Sequence, residues 1–148
     1  IDDDARFLLM AGTALHQRRG FQPFLALGVP DGGTRFEETV PDLVLLNIDM
    51  AGAEDGTFVR GVLEECAKRN SGVILMASGS TEAYSGEAIK GTIATPINAL
   101  SLGQEIEQTM RMTRSTSHPD GAAQHLNEEM QRITKLSQQA ASESCPTG

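Results

Sequence analysis

The sequence predicts an α/β fold, a parallel sheet carrying helices on both faces. Two observations point to it. The runs Leu43–Leu46 and Val73–Ala77 are continuously apolar and bounded by turn-forming residues, the pattern of strands buried on both faces. Segments with helical periodicity alternate with them along the chain, which is how crossover helices join parallel strands.

Taken in order, Phe7, Leu8, Met10, Ala11, Ala14 and Leu15 recur at helical spacing, predicting a helix over 5–19. Asp4 suits its N-cap and Gly20 its stop. Residues 21–27 read as an extended outer strand, because Pro23 can sit only at a sheet edge or a strand start. A short, weak helix follows within 30–40, where Gly32 and Gly33 lower helix propensity. After the strand ending at Asn47 comes a loop, then a helix over 57–69 with Phe58, Val59, Val62, Leu63 and Cys66 as its apolar stripe. Val73–Ala77 is the next strand. Residues 78–81 form a polar loop, 82–89 a short helix, and 92–94 a brief strand ending at Thr95-Pro96. Asn98 caps a helix reaching about residue 112, built on Leu102, Ile106 and Met110.

The composition changes at 113–121 to Ser, Thr, His, Pro, Asp and Gly, which is linker chemistry. Beyond it, Leu126, Met130, Ile133 and Ala140 recur at spacings of 4, 3 and 7 residues, with Ser137 interrupting the seam. That is too short a repeat for a coiled coil by itself. A helix in 122–148 therefore either packs back on the domain or frays, or else is a signalling helix that dimerises or leads to an output domain, and 142–148 are expected to be disordered.

A formal net charge of −8 over 148 residues argues against direct binding to nucleic acid or an anionic membrane, because no basic stripe is present to displace counterions. The apolar runs fall far short of the roughly 20 residues that a membrane helix needs. Cys66 and Cys145 are the only cysteines, so neither a disulfide framework nor a CxxC metal site can be read. A cytoplasmic setting is expected. His16, His118 and His125 lack metal-ligand spacing, and no glycine string matches a phosphate-binding loop.

Polar residues at the C-terminal ends of parallel strands face the crevice where such sheets bind ligands. Asn47 and Asp49 are therefore at a candidate site. Around them, the acidic cluster IDDD (Ile1 to Asp4), the strand PDLVLL continuing into NIDMAGAEDG, the strand VILMAS and the proline in ATPIN (Ala94 to Asn98) come in an order that resembles the receiver domain of two-component response regulators. The resemblance covers 1–112, with 113–121 as linker and 122–148 as tail. It implies a flavodoxin-like, doubly wound, five-stranded parallel sheet of order 2-1-3-4-5 with a C-terminal helical extension. Such a sheet needs a middle strand ahead of Ile1, and residues upstream of Ile1 are expected to supply it.

In the resembling family, an aspartate at the third strand's tip is phosphorylated and two acidic residues at the first strand's end help hold Mg²⁺. Asp2 and Asp3 match that pair, and hard divalent cations favour carboxylate oxygens. With no third anionic ligand, Mg²⁺ binding is expected to be weak at best, and no other cofactor is implied. The rest departs from the pattern. Asn47 stands at the phosphoacceptor position, and its amide offers no nucleophile. Ala77 aligns with the switch hydroxyl, although Ser78 could substitute after a shift of one residue. Thr95, before Pro96, replaces the lysine that would pair with an acyl phosphate, and Thr92 replaces the switch aromatic. Asp49 as a substitute acceptor would lack that charge clamp.

These departures predict a non-enzymatic pseudo-receiver that regulates by contact with a protein partner or output domain, in the same or another chain, or by homodimerisation. An alternative is a sensor that binds a nucleotide or metabolite in the emptied acidic crevice. A third reading is a phosphorylatable receiver blocked by an engineered Asp to Asn change, which accounts for Asn47 but not for Ala77, Thr92 and Thr95.

Overall fold

A computed structural model describes residues 1–111 and 122–143. The expected linker 113–121 and the end of the tail, 144–148, lie outside them. Eight elements follow in chain order: α1 (Ala5–His16), α2 (Gly28–Glu38), β1 (Leu43–Asn47), α3 (Thr57–Arg69), β2 (Gly72–Ala77), β3 (Ile89–Ala94), α4 (Ala99–Met110) and α5 (Ala122–Glu143).

The three strands form one parallel sheet in the order β1-β2-β3. Every residue of β2 is buried, as expected of a central strand covered on both faces. Val44, Leu46, Val73 and Leu75 pack with Phe36 of α2 and Val59, Val62 and Cys66 of α3. On the opposite face, Ile74, Met76 and Ile93 pack with Ala11 and Leu15 of α1 and Leu102 and Ile106 of α4. Successive strand residues thus feed two separate cores, as the period of two demands.

This architecture corrects the expected five-stranded flavodoxin-like sheet of order 2-1-3-4-5. Residues 21–27 are extended, but among them only Leu27 pairs, in a single parallel bridge to Asp2. Asp2 donates its N–H to Ala26 O at 3.2 Å and accepts from Gly28 N–H at 2.8 Å, while Ile1 meets Leu45 O at 2.6 Å and Asn47 N–H at 3.0 Å. Two residues make too little ladder to form a strand. The outward edge of 23–27 is bound by side chains of α5 in place of a neighbouring strand.

The helix expected within 82–89 is also absent. Tyr84 N–H closes a turn onto Thr81 O at 3.0 Å, and Val73 N–H donates to Ala88 O at 2.7 Å, pulling this stretch onto the sheet. β3 consequently begins at Ile89, three residues before the expected Thr92.

α5 packs back on the domain. Ile133 is fully buried, in a cluster with Leu8 of α1 and Leu25, flanked by Met130, and Leu126 is also buried. Ala140, at the far end of the expected seam, is exposed. The helix also carries polar anchors. Glu129, 5% exposed, pairs with Arg35 of α2 and accepts from Leu25 N–H at 2.7 Å. Arg132 pairs with Asp31 and donates to Leu25 O at 3.1 Å, and a ring nitrogen of His125 lies 2.6 Å from Pro23 O. Among the described residues no helix is long and apolar enough to cross a membrane.

Candidate functional site

β1 delivers Asn47 to the sheet's C-terminal edge, and the ladder runs one residue further as Ile48 N–H donates to Met76 O at 3.0 Å. Beyond that contact the chain turns outward. Asp49 is therefore exposed at the crevice, beside the end of β2.

Asn47 uses both ends of its amide. Nδ2 donates to Asp2 Oδ2 at 3.1 Å, and Oδ1 accepts from Asp49 N–H at 2.9 Å. A carboxylate needs a donor and a backbone N–H needs an acceptor, so the two partners fix which way the amide points. Asp2 is buried, and its Oδ1 accepts from Asp4 N–H at 3.0 Å. Burial raises its carboxyl pKa above the usual carboxylate range, against the opposing pull of the Asp4 and Asn47 hydrogen bonds.

Asp3 is exposed and turns the other way, its Oδ2 accepting from Ala51 N–H at 3.0 Å. Asp49 Oδ2 is taken by Ser78, accepting from its N–H at 2.7 Å and its hydroxyl at 2.9 Å. Asp2, Asn47, Asp49 and Ser78 form one connected chain of hydrogen bonds across the tips of β1 and β2. Among the described residues no group of three or more His, Cys, Asp or Glu could hold a metal ion.

Ala77 is buried, and its carbonyl accepts from Thr95 N–H at 2.9 Å, which ties the end of β3 to the end of β2. The Thr95-Pro96 peptide is cis. Thr92 lies further back, exposed and opposite Leu75. The crevice thus brings together Asn47, Asp2 and Ser78, while Thr92 stands back from the tip.

The Asp49–Ser78 pairing was not foreseen from sequence, and neither were Glu129 and Arg132. The first had a signal in Ser78, whose hydroxyl follows a buried strand directly. The second had one in the i, i+3 spacing of an acid and a base beside the Leu126, Met130 and Ile133 stripe.

No family model, no curated protein and no solved structure matches this chain.

Proposed function

We propose that this chain is a non-catalytic pseudo-receiver module of a two-component type signalling protein, working by protein contact without aspartate phosphorylation. One observation carries the reading: the strand-tip residue is a carboxamide held at both ends, by Asp2 and by Asp49. An amide bound in this way offers no oxygen nucleophile for phosphoryl transfer.

The neighbouring groups support the same reading. Asp49 spends one carboxylate oxygen on two Ser78 donors. Thr95, which takes the place of a lysine, supplies no charge to steady a transferred phosphoryl group. The Asn47 amide and one Asp49 oxygen are thus already engaged within the crevice. What remains for regulation is a shape that a partner binds with different affinity in different states.

The test is incubation with a small phosphodonor and Mg²⁺ followed by intact mass. The chain is expected to stay unmodified, and the Asn47→Asp variant to phosphorylate poorly for lack of a cation at position 95. A stable gain of one phosphoryl mass on the unaltered chain would overturn the proposal.

A further inference from the structure

α5 occupies a main-chain edge. The inward groups of the extended stretch, Ala26 O and Gly28 N–H, bond to Asp2, so alternation turns the peptide groups of residues 23, 25 and 27 outward. Side chains meet them there. Pro23 O lies 2.6 Å from a His125 ring nitrogen, Leu25 N–H donates to Glu129 at 2.7 Å, and Leu25 O accepts from Arg132 at 3.1 Å. Leu27 N–H donates to Asp31 Oδ2 at 2.7 Å, and the same oxygen accepts from Arg132 at 2.9 Å. The helix runs alongside as a substitute strand. His125 and Glu129 stand roughly 6 Å apart along its axis, close to the roughly 6.7 Å between alternate residues of an extended chain.

Two features make α5 removable. The apolar part of its contact, Ile133 with Leu8 and Leu25, is a cluster apart from the two that cover the sheet, neither of which includes an α5 residue. The polar part rests on the Glu129–Arg35 and Arg132–Asp31 pairs. Desolvation offsets much of the attraction in such pairs, so they set the helix in register without holding it tightly.

The outward groups of 23–27 are also self-complementary. Leu25 N–H and Leu27 N–H are donors, and Pro23 O and Leu25 O are acceptors. A second copy turned about a two-fold axis at Leu25 brings Leu25 N–H to the partner's Leu25 O and Leu27 N–H to the partner's Pro23 O, and the same in reverse. That is the register of an antiparallel hydrogen-bonded pair, and Pro23, which has no N–H to give, falls at the end of the ladder.

We propose that residues 23–27 are a pairing edge for a second copy of this chain, joined antiparallel across Leu25, and that α5 is the cover whose release opens it. A two-fold contact of this kind uses up both edges, so the product is a closed dimer. It deepens the protein-contact role by naming its partner, yet involves neither Asn47 nor phosphoryl transfer, so the two readings fail separately.

The test uses the full chain with Ile133→Asp, which sets a carboxylate against Leu8 and Leu25 and releases α5. Light scattering gives the mass, and amide hydrogen exchange locates the contact. The parent chain is expected to be monomeric. The variant should have twice its mass, with Leu25 and Leu27 amides more protected as concentration rises. Glu129→Arg, which turns the Arg35 contact into a repulsion, should do the same. An excess of synthetic peptide of residues 122–143 should cover the edge again and return the Ile133→Asp variant to monomer mass. Variants that stay monomeric while β2 amides remain protected, a dimer whose Leu25 amide exchanges freely, a dimer indifferent to the peptide, or a parent chain already of dimer mass would overturn the proposal. Loss of β2 protection in both variants would overturn it too, because the sheet would then depend on α5.

Discussion

Asn47 Nδ2 sits 3.1 Å from Asp2 Oδ2, and this contact ties the chemistry of the crevice to the stability of the fold. Asp2 is buried, and the amide is its donor from the β1 side. The neutral residue at position 47 is thus structurally useful there, because it satisfies a carboxylate that would otherwise be desolvated with fewer partners.

Replacing Asn47 with Asp sets two carboxylates face to face. Asn47→Asp should lower stability at pH 7 by about 1 to 3 kcal/mol, the cost of a lost donor beside a buried carboxylate. The loss should shrink as pH falls and one of the pair takes up a proton. Urea unfolding of the variant and the parent chain across acid to neutral pH measures both effects. A destabilisation that does not depend on pH would contradict the Asp2 contact.

Asp2 gives a second pH signature. Burial raises its carboxyl pKa above the usual carboxylate range, so across that window the folded chain holds more protons than the unfolded one, and the stability this adds at low pH is lost as pH rises through the folded value. Asp2→Asn should remove this acid-range decline in urea melts.

The buried Glu129–Arg35 pair predicts an asymmetric cost. Glu129→Ala leaves a guanidinium that is 14% exposed with only the longer 3.8 Å ion pair to Glu38 and also removes the acceptor for Leu25 N–H. About 3 to 5 kcal/mol should be lost. Glu129→Gln, which keeps an acceptor for Leu25, should lose less. Chemical denaturation ranks the two, and hydrogen exchange at Leu25 should rise more in the alanine variant.

Packing of α5 can be tested apart from its charges. Ile133 is fully buried against Leu8 and Leu25, so Ile133→Ala should cost about 2 to 5 kcal/mol. An exposed position on the same helix, Gln138, should tolerate alanine with almost no change in the unfolding midpoint.

Parts of this structure were legible from local pattern alone. α3 occupies the expected 57–69, and β1 and β2 fall on the two apolar runs, because a strand buried on both faces and an amphipathic helix announce themselves without distant partners. Residues 21–27 failed as a strand for the opposite reason. Their apolar content suits a sheet, yet a strand exists only where a neighbour supplies a ladder, and here just Asp2 does. β3 was read as too short because Val73 reaches across to Ala88, a contact between residues 15 apart that no local window contains. At the site, Asn47, Asp2 and Ser78 were readable as crevice residues. Their bonding pattern was not, since it depends on the distance between two strand tips.

The exposed flank of residues 23–27 is guarded by side chains, not by main chain. Glu129, Arg132 and His125 occupy its outward donors and acceptors, and side chains, unlike a backbone ladder, offer no template that a foreign strand could copy. Runaway edge-to-edge association is blocked on that flank.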